Sequence, residues 1–128
     1  MSDHSITSLI EKLEGGPVYL THKEAYDLAI WFGSDTALGL AQLIRKAFVG
    51  GSLDAALALA ERVLPGWWWT TGRCGLTCHA SVGPDSKFIE EPDLSKFDSG
   101  FHADVPNPST PAIALCIAIL RAHSEVRV

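Results

Sequence analysis

Apolar residues recur at helical spacing through the first half of the chain, and the period shortens after residue 66. Ile6, Leu9, Ile10 and Leu13 fall at i, i+3, i+4 and i+7, one face of a short amphipathic helix that Ser5 can cap. Gly15-Gly16-Pro17 stops it, because glycine takes the left-handed position after a helix and proline cannot continue the hydrogen-bond ladder. Thr21-His22-Lys23-Glu24 is a capping-box pattern that opens a second helix through Trp31. Gly33-Ser34-Asp35 ends that helix and offers a new cap. A third helix is predicted over about 36–48, with Leu40, Leu43, Ile44, Ala47 and Phe48 as its apolar side. Gly50-Gly51 breaks it, and Ser52 caps a fourth helix. Leu53, Ala56, Leu57, Ala60 and Leu64 form the stripe of that helix, and Asp54 lies in its first turn, where the dipole favours a carboxylate. Pro65-Gly66 closes it.

The aromatic and β-branched run Trp67-Trp68-Trp69-Thr70-Thr71 suits a strand. Gly72-Arg73-Cys74-Gly75 reads as a turn, residues 76–82 as the returning strand of a hairpin, and Gly83-Pro84-Asp85 as another turn. Residues 86–95 are polar and proline-punctuated, a surface loop, and a third short strand is expected at about 99–104. Pro106-Asn107-Pro108-Ser109 is a stiff linker. Thr110-Pro111 then supplies an N-cap followed by proline at the first helical position, where its missing N–H costs nothing. The helix it opens is apolar nearly all round from 112 to 120, so it must be covered on most sides and belongs at the centre of the fold.

These elements predict one α+β domain, sandwich-like, spanning residues 1–128. It has a helical first half (5–64), a hairpin, loop and third strand (67–104) making a short antiparallel sheet of about three strands, and a buried C-terminal helix (110–124). A chain of 128 residues is close to the commonest size for a single core. Its apolar fraction of 47% and charged fraction of 20% exclude a disordered chain. The mean hydropathy of +0.15 leaves apolar surface to spare, which a protein partner or a homodimer would cover.

The net charge of −5, with ten basic residues scattered along the chain, argues against direct nucleic-acid binding. The N-terminus lacks the basic region of a secretory signal, and no apolar run approaches the roughly 20 residues of a membrane span. Three cysteines without the spacing of a disulfide framework point to reduced thiols and the cytoplasm of a bacterial host.

The chemistry-bearing residues are few. Cys74, Cys78 and His79, with His102 on a neighbouring strand, form the only ligand-like cluster in the sequence. Zinc takes four ligands, usually from two close pairs, and here one C-x3-C-H group stands without a second pair. In a strand Cys78 and His79 face opposite sides, which works against joint ligation. A thiol nucleophile needs a base nearby, and none is implied for Cys74 beside Arg73. Cys116 reads as core packing. Glu90 and Glu91 lie in the polar loop, where solvent would leave carboxylates unsuited to acid–base work. The three tryptophans are the most unusual feature. Strand alternation puts Trp67 and Trp69 on one face and Trp68 on the other, as packing between helical layers or as an exposed anchor for a partner. Trp68, Arg73, Glu90 and Glu91 are therefore the candidate protein-binding residues, and no cofactor is implied.

Residues 51–59 (Gly51-Ser52-Leu53-Asp54-Ala55-Ala56-Leu57-Ala58-Leu59), then Leu64-Pro65-Gly66-Trp67-Trp68-Trp69, resemble small phage and prophage proteins of alphaproteobacteria. So does the ending Thr110-Pro111-Ala112-Ile113-Ala114-Leu115-Cys116-Ile117-Ala118-Ile119-Leu120-Arg121-Ala122. The pattern is similar to the phage ABA sandwich domain family and extends from about Gly51 to the C-terminus, with an echo in residues 9–14. The resemblance implies a sheet sandwiched by helices and a phage origin, and it brings no catalytic residues. Relatives usually have a polar residue between the two tryptophans, where this chain has Trp68, and residues 36–48 fit the pattern poorly. The expected function is thus protein binding by a phage accessory protein, an anti-CRISPR inhibitor being its sharpest form. The alternatives are a small metal- or thiol-dependent enzyme built on Cys74, Cys78 and His79, and a structural phage component.

Overall fold

A computed structural model of the chain describes residues 3–15, 18–33, 37–64, 66–74, 77–83, 101–106 and 110–126, with the side chains at 3–4, 37–38, 73–74, 77, 102, 105–106 and 125–126 left outside the description. Among these residues five helices and three strands follow in the order α1 (Asp3–Glu14), α2 (His22–Trp31), α3 (Ala37–Phe48), α4 (Leu53–Val63), β1 (Trp68–Cys74), β2 (Thr77–Gly83), β3 (Phe101–Pro106) and α5 (Pro111–Val126). The fold class is α+β, as the hydrophobic pattern predicts.

The caps form where the polar residues place them. Thr21 accepts from the Glu24 N–H at 3.1 Å and its own N–H donates to the Glu24 carboxylate at 3.2 Å, a complete capping box. Ser52 accepts from the Ala55 N–H at 3.2 Å, and Thr110 from the Ile113 N–H at 3.2 Å. Gly33 and Gly66, which follow α2 and α4, have φ of +82°, the left-handed turn that releases the chain from a helix. Helix α1 begins at Asp3, so Ser5 lies inside it rather than capping it. Gly15 closes α1 with a tight N–H bond to the Lys12 carbonyl at 3.1 Å, and Gly16 and Pro17 lie outside the described residues.

The sheet is an antiparallel meander in the order β1-β2-β3. Strand β1 runs on through Gly72, Arg73 and Cys74, where the sequence suggested a turn, and Cys74 pairs with Thr77. Strand β3 ends at Pro106, two residues beyond its expected end. The expected loop at 86–95 lies outside the described residues.

Helix α5 is the middle layer. It packs against all three strands on one side and against α1, α3 and α4 on the other, while α2 packs on α3. Residues 112–120 are all buried, which is why no polar residue interrupts them. Cys78, Ala80 and Val82 of β2 and Ala103 of β3 make the buried face of the sheet toward this helix. The facing pair Ala80 and Ala103 is small, which leaves room for the helix to lie close. The Thr71 hydroxyl fastens β1 to the start of the helix by donating to the Pro111 carbonyl at 2.8 Å, with the His79 carbonyl 3.1 Å away. Thr70, Gly72, His79, Ser81 and Asp104 belong to the other face, and each is exposed or half-buried.

Candidate interaction surfaces

With the order β1-β2-β3, β1 is an edge strand among the described residues, and its position decides where the tryptophans go. Trp69 pairs with Val82 and Trp68 with Gly83, so adjacent residues stand on opposite faces of the sheet. Trp67, just before the strand, stacks on Phe101 with ring centroids 6.2 Å apart and planes inclined by 22°. It is half-buried and packs on the core. Trp68 is 37% exposed and Trp69 40% exposed. Both indoles are thus presented at one edge of the sheet, one on each side, and Trp69 is as accessible as the expected anchor Trp68.

The Trp68 ring is seated rather than free. It lies across Gly83, which is buried beneath it although it belongs to the otherwise open face. The His79 ring covers Gly72 in the same way, its Nε2 3.4 Å from where a Cβ on Gly72 would stand. Each glycine accepts the aromatic ring of its cross-strand partner, so the two rings lie over the backbone of the face turned away from α5.

The proposed ligand cluster is divided by the sheet. Cys78 is fully buried against α5, whereas His79 is half-buried on the opposite face over Gly72. In register, Cys74 stands beside Thr77, and His102 beside Ser81, one diagonal step from the His79–Asp104 pair. Among the described residues no group of three or more His, Cys, Asp or Glu side chains is placed to hold a metal ion. Cys116 is fully buried in α5, where burial pushes its thiol well above the usual range and keeps it protonated. Arg73 occupies β1 opposite Cys78, its side chain outside the description, and Glu90 and Glu91 lie outside the described residues.

The helical side carries features that the sequence reading missed. Tyr19, Tyr26 and Ile30 are 72%, 40% and 53% exposed. A cleft of about 300 Å³ is lined by Ser5, Ser8, Leu9, Lys12, Tyr19 and Glu24, among others. A second, of about 260 Å³, opens between α2 and α3 and is lined by His22, Tyr26, Ala41, Gln42, Arg45 and Lys46. Here the Arg45 Nε–H donates to the Leu20 carbonyl at 3.2 Å, and its Nη1 lies 3.2 Å from His22 Nε2. The only available signal was the exposed phase of the α2 periodicity, which places residues 22, 26 and 30 one turn apart.

No described helix is long and apolar enough to cross a membrane. Comparison of the chain with protein-family models, with curated proteins and with solved structures returned no match.

Proposed function

We propose that this chain is a non-enzymatic accessory protein of a phage or prophage that acts by binding another protein, in its specific form an inhibitor of a host defence system such as an anti-CRISPR. The observation that carries the binding reading is the pair of exposed indoles, Trp68 and Trp69, at the start of an edge strand. Tryptophan is the side chain most enriched among residues that dominate binding energy. An edge strand also offers its unpaired backbone N–H and C=O groups to an incoming strand. A partner that adds a strand to β1 would meet Trp69 on the helix-covered side of the sheet and Trp68 on the open side, so backbone pairing and side-chain grip coincide. The phage origin rests on the resemblance of residues 51–69 and 110–122. The division of Cys78 and His79 between two faces, and the burial of Cys78 and Cys116, weigh against the thiol- or metal-enzyme alternative.

A plating assay tests this reading. Expression in a bacterial host with an active CRISPR–Cas system should restore plaques of a targeted phage, and Trp69→Ser should lose that effect while the protein stays folded. Unrestored plating removes the anti-CRISPR form. A protein found as a stoichiometric part of purified virions would instead be a structural phage component.

A further inference from the structure

Two basic pairs that stand far apart in the sequence, His22-Lys23 and Arg45-Lys46, lie at one end of the α2–α3 pair, where Arg45 contacts His22. The two helices run antiparallel, since the Val18 N–H bonds to the Phe48 carbonyl and Arg45 reaches Leu20 and His22. That arrangement sets His22 and Lys23, in the first turn of α2, beside Arg45 and Lys46, in the last turn of α3. Cations in a last turn are favoured by the helix dipole, which accounts for Arg45 and Lys46, but Lys23 sits in a first turn, where the dipole disfavours a cation. Helix stability therefore accounts for only part of the cluster. None of the six residues lining the cleft is acidic, on a protein whose net charge is −5. Of the carboxylates on α2, Glu24 is held in the capping box and faces the neighbouring cleft, and Asp27 does not line this one.

The cleft is also shaped for more than an ion. Arg45 is half-buried and its guanidinium is fixed by the Leu20 carbonyl, so little side-chain freedom is lost when it pairs with an anion. The walls are mostly apolar, formed by Tyr26, Ala41 and the stems of Gln42 and Lys46. Tyr26 and the exposed Ile30 continue the line from His22 at i+4 and i+8, a track of about 12 Å along α2.

We propose that this cleft binds an acidic peptide segment of a protein partner, with a carboxylate at the His22, Arg45 and Lys46 end and apolar side chains against Tyr26 and Ile30. Charge complementarity selects the occupant. A nucleic acid would meet the same Arg45 and Lys46, but its continuous phosphate charge would then run onto an acidic protein and find no use for the apolar walls. The site is separate from β1 and does not depend on the tryptophan surface.

The test is an amide NMR titration of the full chain with the peptide acetyl-Asp-Glu-Glu-Leu-Ala-Ala-Leu-amide. Its Asn/Gln counterpart and a ten-residue deoxythymidine oligonucleotide serve as comparisons. The acidic peptide should shift the signals of residues 22–30 and 42–46, and its neutral counterpart should not. Lys46→Gln, an exposed change that removes the charge without placing an anion at the helix end, should weaken binding about tenfold, and Arg45→Ala by more. Trp69→Ser should leave the peptide affinity unchanged, so this inference and the proposed function fail separately. No shifts at millimolar acidic peptide, equal shifts from the neutral peptide, or binding of the oligonucleotide in its place would each overturn the proposal.

Discussion

The Trp68 indole rests on Gly83 so closely that a Cβ placed there would collide with Cζ2, Cε2 and Nε1 of the ring, the last at 2.8 Å. The backbone of Gly83 is not in the left-handed region, so alanine is tolerated there except for this overlap. Gly83→Ala should therefore act by driving the indole off the strand. The expected results are a red shift of tryptophan emission and a stability loss of about 1 kcal/mol. In a double-mutant cycle with Trp68→Ala, the two losses should not add, since alanine at 83 costs nothing once the ring is gone.

Thr71 joins the edge strand to the central helix through one hydroxyl. Thr71→Val keeps the β-branched shape and removes the donor to the Pro111 carbonyl. Stability should fall by about 1 kcal/mol in urea unfolding, with an unchanged denaturant slope. Thr110→Ala, at the N-cap of the same helix, should cost a similar amount, about 1 kcal/mol.

The helices were largely legible because their signals are local. Thr21, Ser52 and Thr110 each make a cap by accepting from the N–H three residues on, and the apolar run 112–120 can have only a buried solution. The sheet was legible in its alternation but not in its order. Gly72 read as a turn residue, yet it is a strand residue whose missing side chain accommodates the His79 ring, a role that exists only once the register is known. The exposure of Trp69 is of the same kind, since alternation assigns its face while only the strand order makes β1 an edge. The scatter of basic residues along the chain was a true statement about sequence and a misleading one about surface. Antiparallel packing of α2 on α3 brings residues 22–23 and 45–46 together across more than twenty positions.

Cys116 supplies a pH-dependent prediction. Its folded pKa is raised by burial above that of an unfolded thiol, about 8.5, so the protonated thiol favours the folded state. That contribution is fully present below pH ~8.5 and is lost as the pH rises, because the unfolded chain ionises first, at about 1.4 kcal/mol per pH unit. Alkaline denaturation should accordingly be steeper in the parent than in Cys116→Ala when both are followed by circular dichroism between pH ~8 and ~11. At neutral pH, Cys78 and Cys116 should resist labelling by a thiol reagent until the protein is unfolded, because both are buried.

The last prediction concerns what β1 does when no partner is present. A strand that is an edge among the described residues and carries two exposed tryptophans can add a strand from a foreign protein, or pair with its own copy about a two-fold axis into a six-stranded sheet. A surface kept for a foreign protein should leave the chain alone in solution, so light scattering should give the monomer mass of 13.8 kDa at micromolar concentration. Trp68→Ser, Trp69→Ser and the exposed edge substitution Thr70→Lys should all keep that mass. Thr70→Lys should still block the partner, because a lysine on an edge strand opposes strand addition without touching either indole. A parent mass of a dimer that drops to monomer in Thr70→Lys or Trp68→Ser would assign the edge to self-association. The tryptophans would then be committed within the assembly, and the foreign partner would have to be sought on the α2–α3 side.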